Sequence, residues 1–126
     1  MADSYVLVVD DDPAIRGLVA DALRLEGYIV DIAAHGREAL DAVRARRPAT
    51  VILDLMMPVM DGFSFMEACH KEHLCRDVPI VVISAAQDVL RQLNDVTVHA
   101  CIQKPFDLDY LVRTVGLYAR PNGQVH

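Results

Sequence analysis

The 126-residue chain is long enough for one domain with one core. Apolar residues make up 53% and aromatics only 6%, so Leu, Val, Ile and Ala must fill that core. The net charge of −6, without a basic stripe, speaks against direct nucleic-acid contact, and no apolar run approaches the ~18 residues that cross a bilayer.

Residues 1–4 are acidic and polar and lack the basic segment of a signal peptide, so a cytoplasmic location is expected. Residues 5–9 form a continuous apolar run, the pattern of a strand buried on both faces. Asp12-Pro13 then reads as an N-cap followed by the first helical residue. Ile15, Leu18, Val19, Ala22 and Leu23 follow on one helical stripe, and Gly27 is the stop. A second strand is expected over 28–33. A helix over 36–46 follows, with Ala39, Leu40 and Val43 inward and Pro48 ending it. Arg44, Arg46 and Arg47 cluster at its end, where positive charge complements the helix dipole. A third strand covers 50–54, a turn-rich loop 56–62, and a helix 63–73. A fourth strand covers 79–84, a short helix 88–94, and a weaker fifth strand 99–103. Asp107 caps a last helix with Leu108, Leu111, Val112 and Val115 facing in, and residues 121–126 form a tail. Five βα units in this order imply a parallel sheet with helices on both faces, an α/β fold.

In such a sheet, sites form beyond the carboxyl ends of the strands. Strand one ends in Asp10-Asp11-Asp12, strand three in Asp54, strand four in Ser84-Ala85 and strand five in Gln103-Lys104-Pro105. One edge therefore gathers carboxylates, a hydroxyl and an ammonium. Crowded carboxylates raise one another's pKa unless a cation lies among them. Oxygen ligands at a part-open site next to a place for phosphate suit Mg²⁺, which leaves one carboxylate as nucleophile.

The segments VVDDDP at 8–13, VILDLMMPVMDG at 51–62, VVISA at 81–85 and KPF at 104–106 resemble the receiver domain of two-component response regulators. The resemblance covers roughly residues 5–118, with four separate motifs in order at the strand ends. It implies a flavodoxin-like, doubly wound, five-stranded parallel sheet of order 2-1-3-4-5 with five helices. Residues 1–120 would be the receiver domain, and 121–126 a tail or the start of a linker. Asp54 would be the phosphoacceptor. Asp10 and Asp11 would hold Mg²⁺ together with Asp54, and Met56 would give the metal its backbone carbonyl. Ser84 would be the switch hydroxyl. Lys104 would bind phosphate and precede a cis proline. A sensor histidine kinase or phosphotransfer protein would donate the phosphoryl group. A downstream protein or fused output domain would read the result, and a phosphorylation-dependent dimer is a further partner of this kind. The domain would catalyse only its own phosphorylation and autodephosphorylation.

The chain departs from the family pattern at two places. Cys101 stands where an aromatic switch residue is usual, and the stretch from Ser84 to Lys104 is a residue or two short. A phosphohydrolase with an aspartyl intermediate usually carries an acid two residues after the nucleophile; Met56 there argues against turnover. A degenerate receiver that only binds is disfavoured by the full set of site side chains. Cys69, His70, His73 and Cys75 match no standard zinc spacing. Cys69 is expected to pack in the core behind Phe63 and Met66, and Cys101 to be an ordinary buried strand residue. The odd cysteine count and the lack of a CxxC make structural disulfides unexpected.

Overall fold

The computed structural model describes residues 4–85 and 98–119. Strand β1, Val6–Val9, is buried along its whole length. Its side chains alternate between two cores. Tyr5, Leu7 and Val9 join one cluster, Val6 and Val8 the other. Burial on both faces is why this segment is continuously apolar.

Helix α1, Pro13–Leu25, starts on Asp12, whose carboxylate accepts from the backbone N–H groups of Ala14 and Ile15. Val19, Ala20 and Leu23 are its buried residues. Leu18, expected on the inner stripe, is instead exposed; the apolar face is rotated toward Ala20. Gly27 ends the helix at φ 97°, where a left-handed backbone suits a residue without a Cβ. Its N–H bonds the Arg24 carbonyl, and the Tyr28 N–H bonds that of Leu23, the paired bonds of a Schellman turn.

Strand β2, Val30–Ala33, and helix α2, Gly36–Ala45, follow. The three arginines at the end of α2 are all engaged within the chain. Arg44 pairs with Glu72, Arg46 lies over the Tyr5 ring, and Arg47 donates to the Arg76 carbonyl. Strand β3, Thr50–Asp54, is wholly buried, and helix α3, Gly62–Lys71, is capped by Asp61. Strands β4, Ile80–Ser84, and β5, Ala100–Gln103, complete the sheet, and helix α4, Leu108–Gly116, is capped by Asp107.

All neighbouring strands are parallel, in the order β2-β1-β3-β4-β5. Residues of α2 and α3 (Ala39, Leu40, Val43, Phe65, Met66) fill the core on one face. Residues of α1 and α4 (Val19, Leu23, Leu111, Val115) fill it on the other. The expected topology is therefore present, with four helices among the described residues. The short helix expected over 88–94 lies outside them. Cys101 is a correction: it is exposed, not buried. β5 is an edge strand in which only Ile102 is buried, so a small residue on its other face gains no cover. No helix among the described residues is long and apolar enough to cross a membrane.

Candidate functional site

Parallel register brings the strand ends together. Val9 aligns with Leu53, Asp54 with Ile83, and Ser84 with Gln103. The next residues along each strand therefore meet at one edge of the sheet.

The three consecutive aspartates take three roles. Asp12 caps α1. Asp10 is fully buried; one carboxylate oxygen accepts from the Asp12 N–H at 2.9 Å and the other from Lys104 Nζ at 3.1 Å. Asp11 is exposed. Its carboxylate and those of Asp10 and Asp54 have oxygens all within 4.8 Å of one another. Asp54 mirrors Asp10: one oxygen accepts from the Met56 N–H at 3.2 Å, the other from Lys104 Nζ at 3.3 Å. Lys104 thus bridges two buried acids. It is held there by its own N–H, which donates to the Ser84 carbonyl at 2.8 Å, and it leads into a cis bond to Pro105.

The electrostatics follow from this crowding. Burial, then repulsion from Asp10, raises the Asp54 carboxyl to about 6, against the opposing pull of Lys104 and the Met56 N–H. Burial alone would lower the Lys104 ammonium, but Asp10 and Asp54 together outweigh it and hold it above its ordinary value. Hard oxygen donors with excess negative charge and one partly open side fit a small divalent cation. Asp11, the exposed member, faces the open side.

The loop after β3 is fastened at both ends. The Gly62 N–H donates to the Leu55 carbonyl. A Cβ at Gly62 would lie 2.8 Å from the Asp54 carbonyl oxygen and 2.9 Å from Leu55 Cα, so only glycine lets α3 start this close to the acid. The Gly36 N–H holds the Met60 carbonyl at 2.8 Å. Met56 itself is largely exposed. Ser84 is fully buried and alternates onto the face of Val82 and Ile80, whereas Asp54 shares the alternation of Ile52.

All the expected side chains of the cleft therefore sit at one edge, and Asp10, Asp11, Asp54 and Lys104 converge on one another. A further contributor, Arg16, was not expected. Its guanidinium donates to the Asp10 carbonyl at 2.9 Å and fixes the strand end from the second turn of α1. Its only signal in the sequence is an arginine six residues beyond the acid, which carries no meaning until the turn is known.

Comparison with known proteins agrees with this geometry. The family model of the response regulator receiver domain matches residues 6–116. The chain is 39% identical over 110 residues to the response regulator MprA of Mycolicibacterium vanbaalenii, covering 85% of this chain and 46% of that protein. It is 37% identical over 120 residues to the probable transcriptional regulator ycf27 of Porphyridium aerugineum, covering 91% and 49%. The chain thus spans about half the length of these curated relatives. Among solved structures, the chemotaxis protein CheY4 of Vibrio cholerae superposes with a TM-score of 0.84 at 32% identity, covering 94% of this chain and 100% of that one. The response regulator protein TrrA of Thermotoga maritima, solved in complex with Mg²⁺ and BeF, gives 0.82 at 31%, covering 93% and 100%. With the sheet order, the acidic cleft and a family match over most of its length, this chain belongs to the response regulator receiver domains.

Proposed function

We propose that the receiver accepts a phosphoryl group on Asp54, with Mg²⁺ beside it, and changes its interaction surface in response. The observation that carries this reading is one ammonium bridging two buried carboxylates at 3.1 and 3.3 Å, with the exposed Asp11 completing the cluster. Asp10, Asp11 and Asp54, with the Met56 backbone carbonyl, would hold the cation. When bound, it neutralises charge on the phosphoryl oxygens.

The Asp54 carboxylate supplies the attacking oxygen. As its bond to phosphorus forms, the donor's P–N or P–O bond breaks, and the electron pair leaves with the donor nitrogen or oxygen. Lys104 pairs with a phosphoryl oxygen. The Ser84 hydroxyl takes another after the end of β4 moves, which biases a two-state surface. The reaction is the domain's own phosphorylation and dephosphorylation, without a separate substrate.

The donor is a phosphohistidine on a sensor kinase or phosphotransfer protein in the cytoplasm. The reader is a downstream protein, an output domain or a second receiver. The receiver itself, at 1–120, makes no direct nucleic-acid contact; 121–126 are tail or linker. The engagement of Arg44, Arg46 and Arg47 within the chain supports that reading. The Porphyridium relative, named a probable transcriptional regulator, is about twice as long.

Incubation with acetyl phosphate and Mg²⁺ tests the proposal. One phosphoryl group should be added, and Asp54→Asn should abolish the addition. Undiminished labelling of that variant would refute the assignment.

A further inference from the structure

At the end of the sheet opposite the cleft, α3 closes in a turn that differs from its counterpart on α1. The Leu74 N–H bonds the Cys69 carbonyl at 2.9 Å, and the His73 N–H bonds that of His70 at 3.2 Å. This is again the paired pattern of a Schellman turn. Here the left-handed position is held by His73, at φ 58°, where α1 has a glycine. Such a turn folds the chain back over the last helical turn. It therefore brings the chain back beside Cys69, and Cys75 packs against the buried cluster that contains Cys69.

Three further observations distinguish the pair from two packed thiols. Both line one open cleft between α3 and the start of β4. Cys69 is buried and Cys75 half-buried, so Cys75 is the more exposed member of the pair. The Arg47 guanidinium is anchored on the carbonyl of Arg76, the residue after Cys75. The neighbouring Cys69 thiol, and then the Arg47 charge, lower the Cys75 thiol against the effect of burial.

We propose that Cys69 and Cys75 form a reversible dithiol–disulfide couple, with Cys75 the attacking thiol and Cys69 the resolving one, oxidised by a small-molecule disulfide. The Cys75 thiolate attacks one sulfur of the oxidant, forming a mixed disulfide and releasing one thiolate. The Cys69 sulfur, giving up its proton to that thiolate, then attacks the Cys75 sulfur and expels the second. The protein loses two electrons and two protons, and the oxidant becomes two thiols. Closure requires the sulfurs to stand about 2 Å apart, a movement that the turn around His73 and Leu74 must absorb. The couple is independent of chemistry at Asp54. It fits the transient disulfides of reducing compartments rather than a structural bridge.

The test uses the full chain carrying Cys101→Ser, which removes the exposed third thiol. After treatment with oxidised glutathione, both remaining thiols should be lost to a thiol reagent. The peptide of residues 72–76 should be joined to the peptide ending at Lys71, and dithiothreitol should separate them. Arg47→Ala should slow the loss, while Arg24→Ala on α1 should not. A stable glutathione adduct on Cys75 with Cys69 still free, disulfide dimers between chains, or two persistent free thiols would each overturn the proposal.

Discussion

Replacing Asp54 by Asn should stabilise the metal-free protein, and by an amount that depends on pH. The carboxyl is raised from 3.8 to about 6, so between those values the native state holds a proton that the unfolded chain has released. Stability must then fall as pH rises through this window. The penalty is absent below about 4 and complete above about 6. The interval sets an upper limit of about 3 kcal/mol, a figure that already contains the attraction of Lys104. Water in the partly open cleft reduces it to about 1–2 kcal/mol. Asparagine keeps one oxygen for one of the two donors, the Met56 N–H or Lys104, turns its NH₂ toward the other as a protonated carboxyl turns its O–H, and carries no charge. At about 4 °C per kcal/mol for a domain of this size, Asp54→Asn should melt about 4–8 °C above wild type at pH 7.5 in EDTA. The two should nearly coincide at pH 4. The assay is thermal unfolding of both proteins from pH 4 to 7.5. A difference that stays constant across that range would refute the electrostatic account, because a packing effect of the substitution would not titrate.

Mg²⁺ should raise the wild-type melting temperature, by the equivalent of about 2.7 kcal/mol at one hundred times its dissociation constant. Asp11→Asn should weaken that response while changing the melting temperature in EDTA little, since Asp11 is exposed; a calorimetric titration checks the first point. Lys104→Ala removes the ammonium that Asp10 and Asp54 share and should lower stability in EDTA by about 1–3 kcal/mol, with partial recovery in Mg²⁺. An unchanged urea midpoint would contradict it. Gly62→Ala should cost about 1–3 kcal/mol because its Cβ meets backbone rather than a flexible side chain. Gly17→Ala, with open space around it, should stabilise by about 0.5–1 kcal/mol; paired urea unfolding curves decide both.

Legibility in the sequence followed the range of the forces involved. The central strands were readable because burial on both faces leaves no polar residue among Val6–Val9 or Ile80–Ile83. Caps were readable because Asp12 and Asp107 act on their own next residues. The convergence of Asp10, Asp54 and Lys104 was readable because parallel order alone puts strand ends on one edge. What failed depended on cover supplied from elsewhere. Leu18 fits the period of α1, yet the sheet beneath it meets Ala20 instead. Cys101 is as apolar as a core residue, but an edge strand has one face to bury. Arg16 and Arg47 act on carbonyls six and 29 residues away, and no local pattern announces either.

The cysteine pair shows the same limit at its sharpest. A spacing of six residues has no meaning on a continuing helix, where the neighbours are three and four apart. It brings the thiols together only because the helix stops at Lys71 and the chain reverses through a left-handed residue. On α1 that residue is Gly27, a stop signal visible in the sequence. On α3 it is His73, which carries no such signal; Cys69 is buried in the core as its spacing from Phe63 and Met66 indicated, but reading the helix through residue 73 hid the return of Cys75 toward it. One turn, hidden by one non-glycine residue, thus decides whether Cys75 lies near the buried Cys69. The first residue of the same helix, Gly62, rests against the Asp54 carbonyl. Local backbone geometry at the two ends of α3 therefore sets both the shape of the loop after Asp54 and the return of Cys75 toward Cys69.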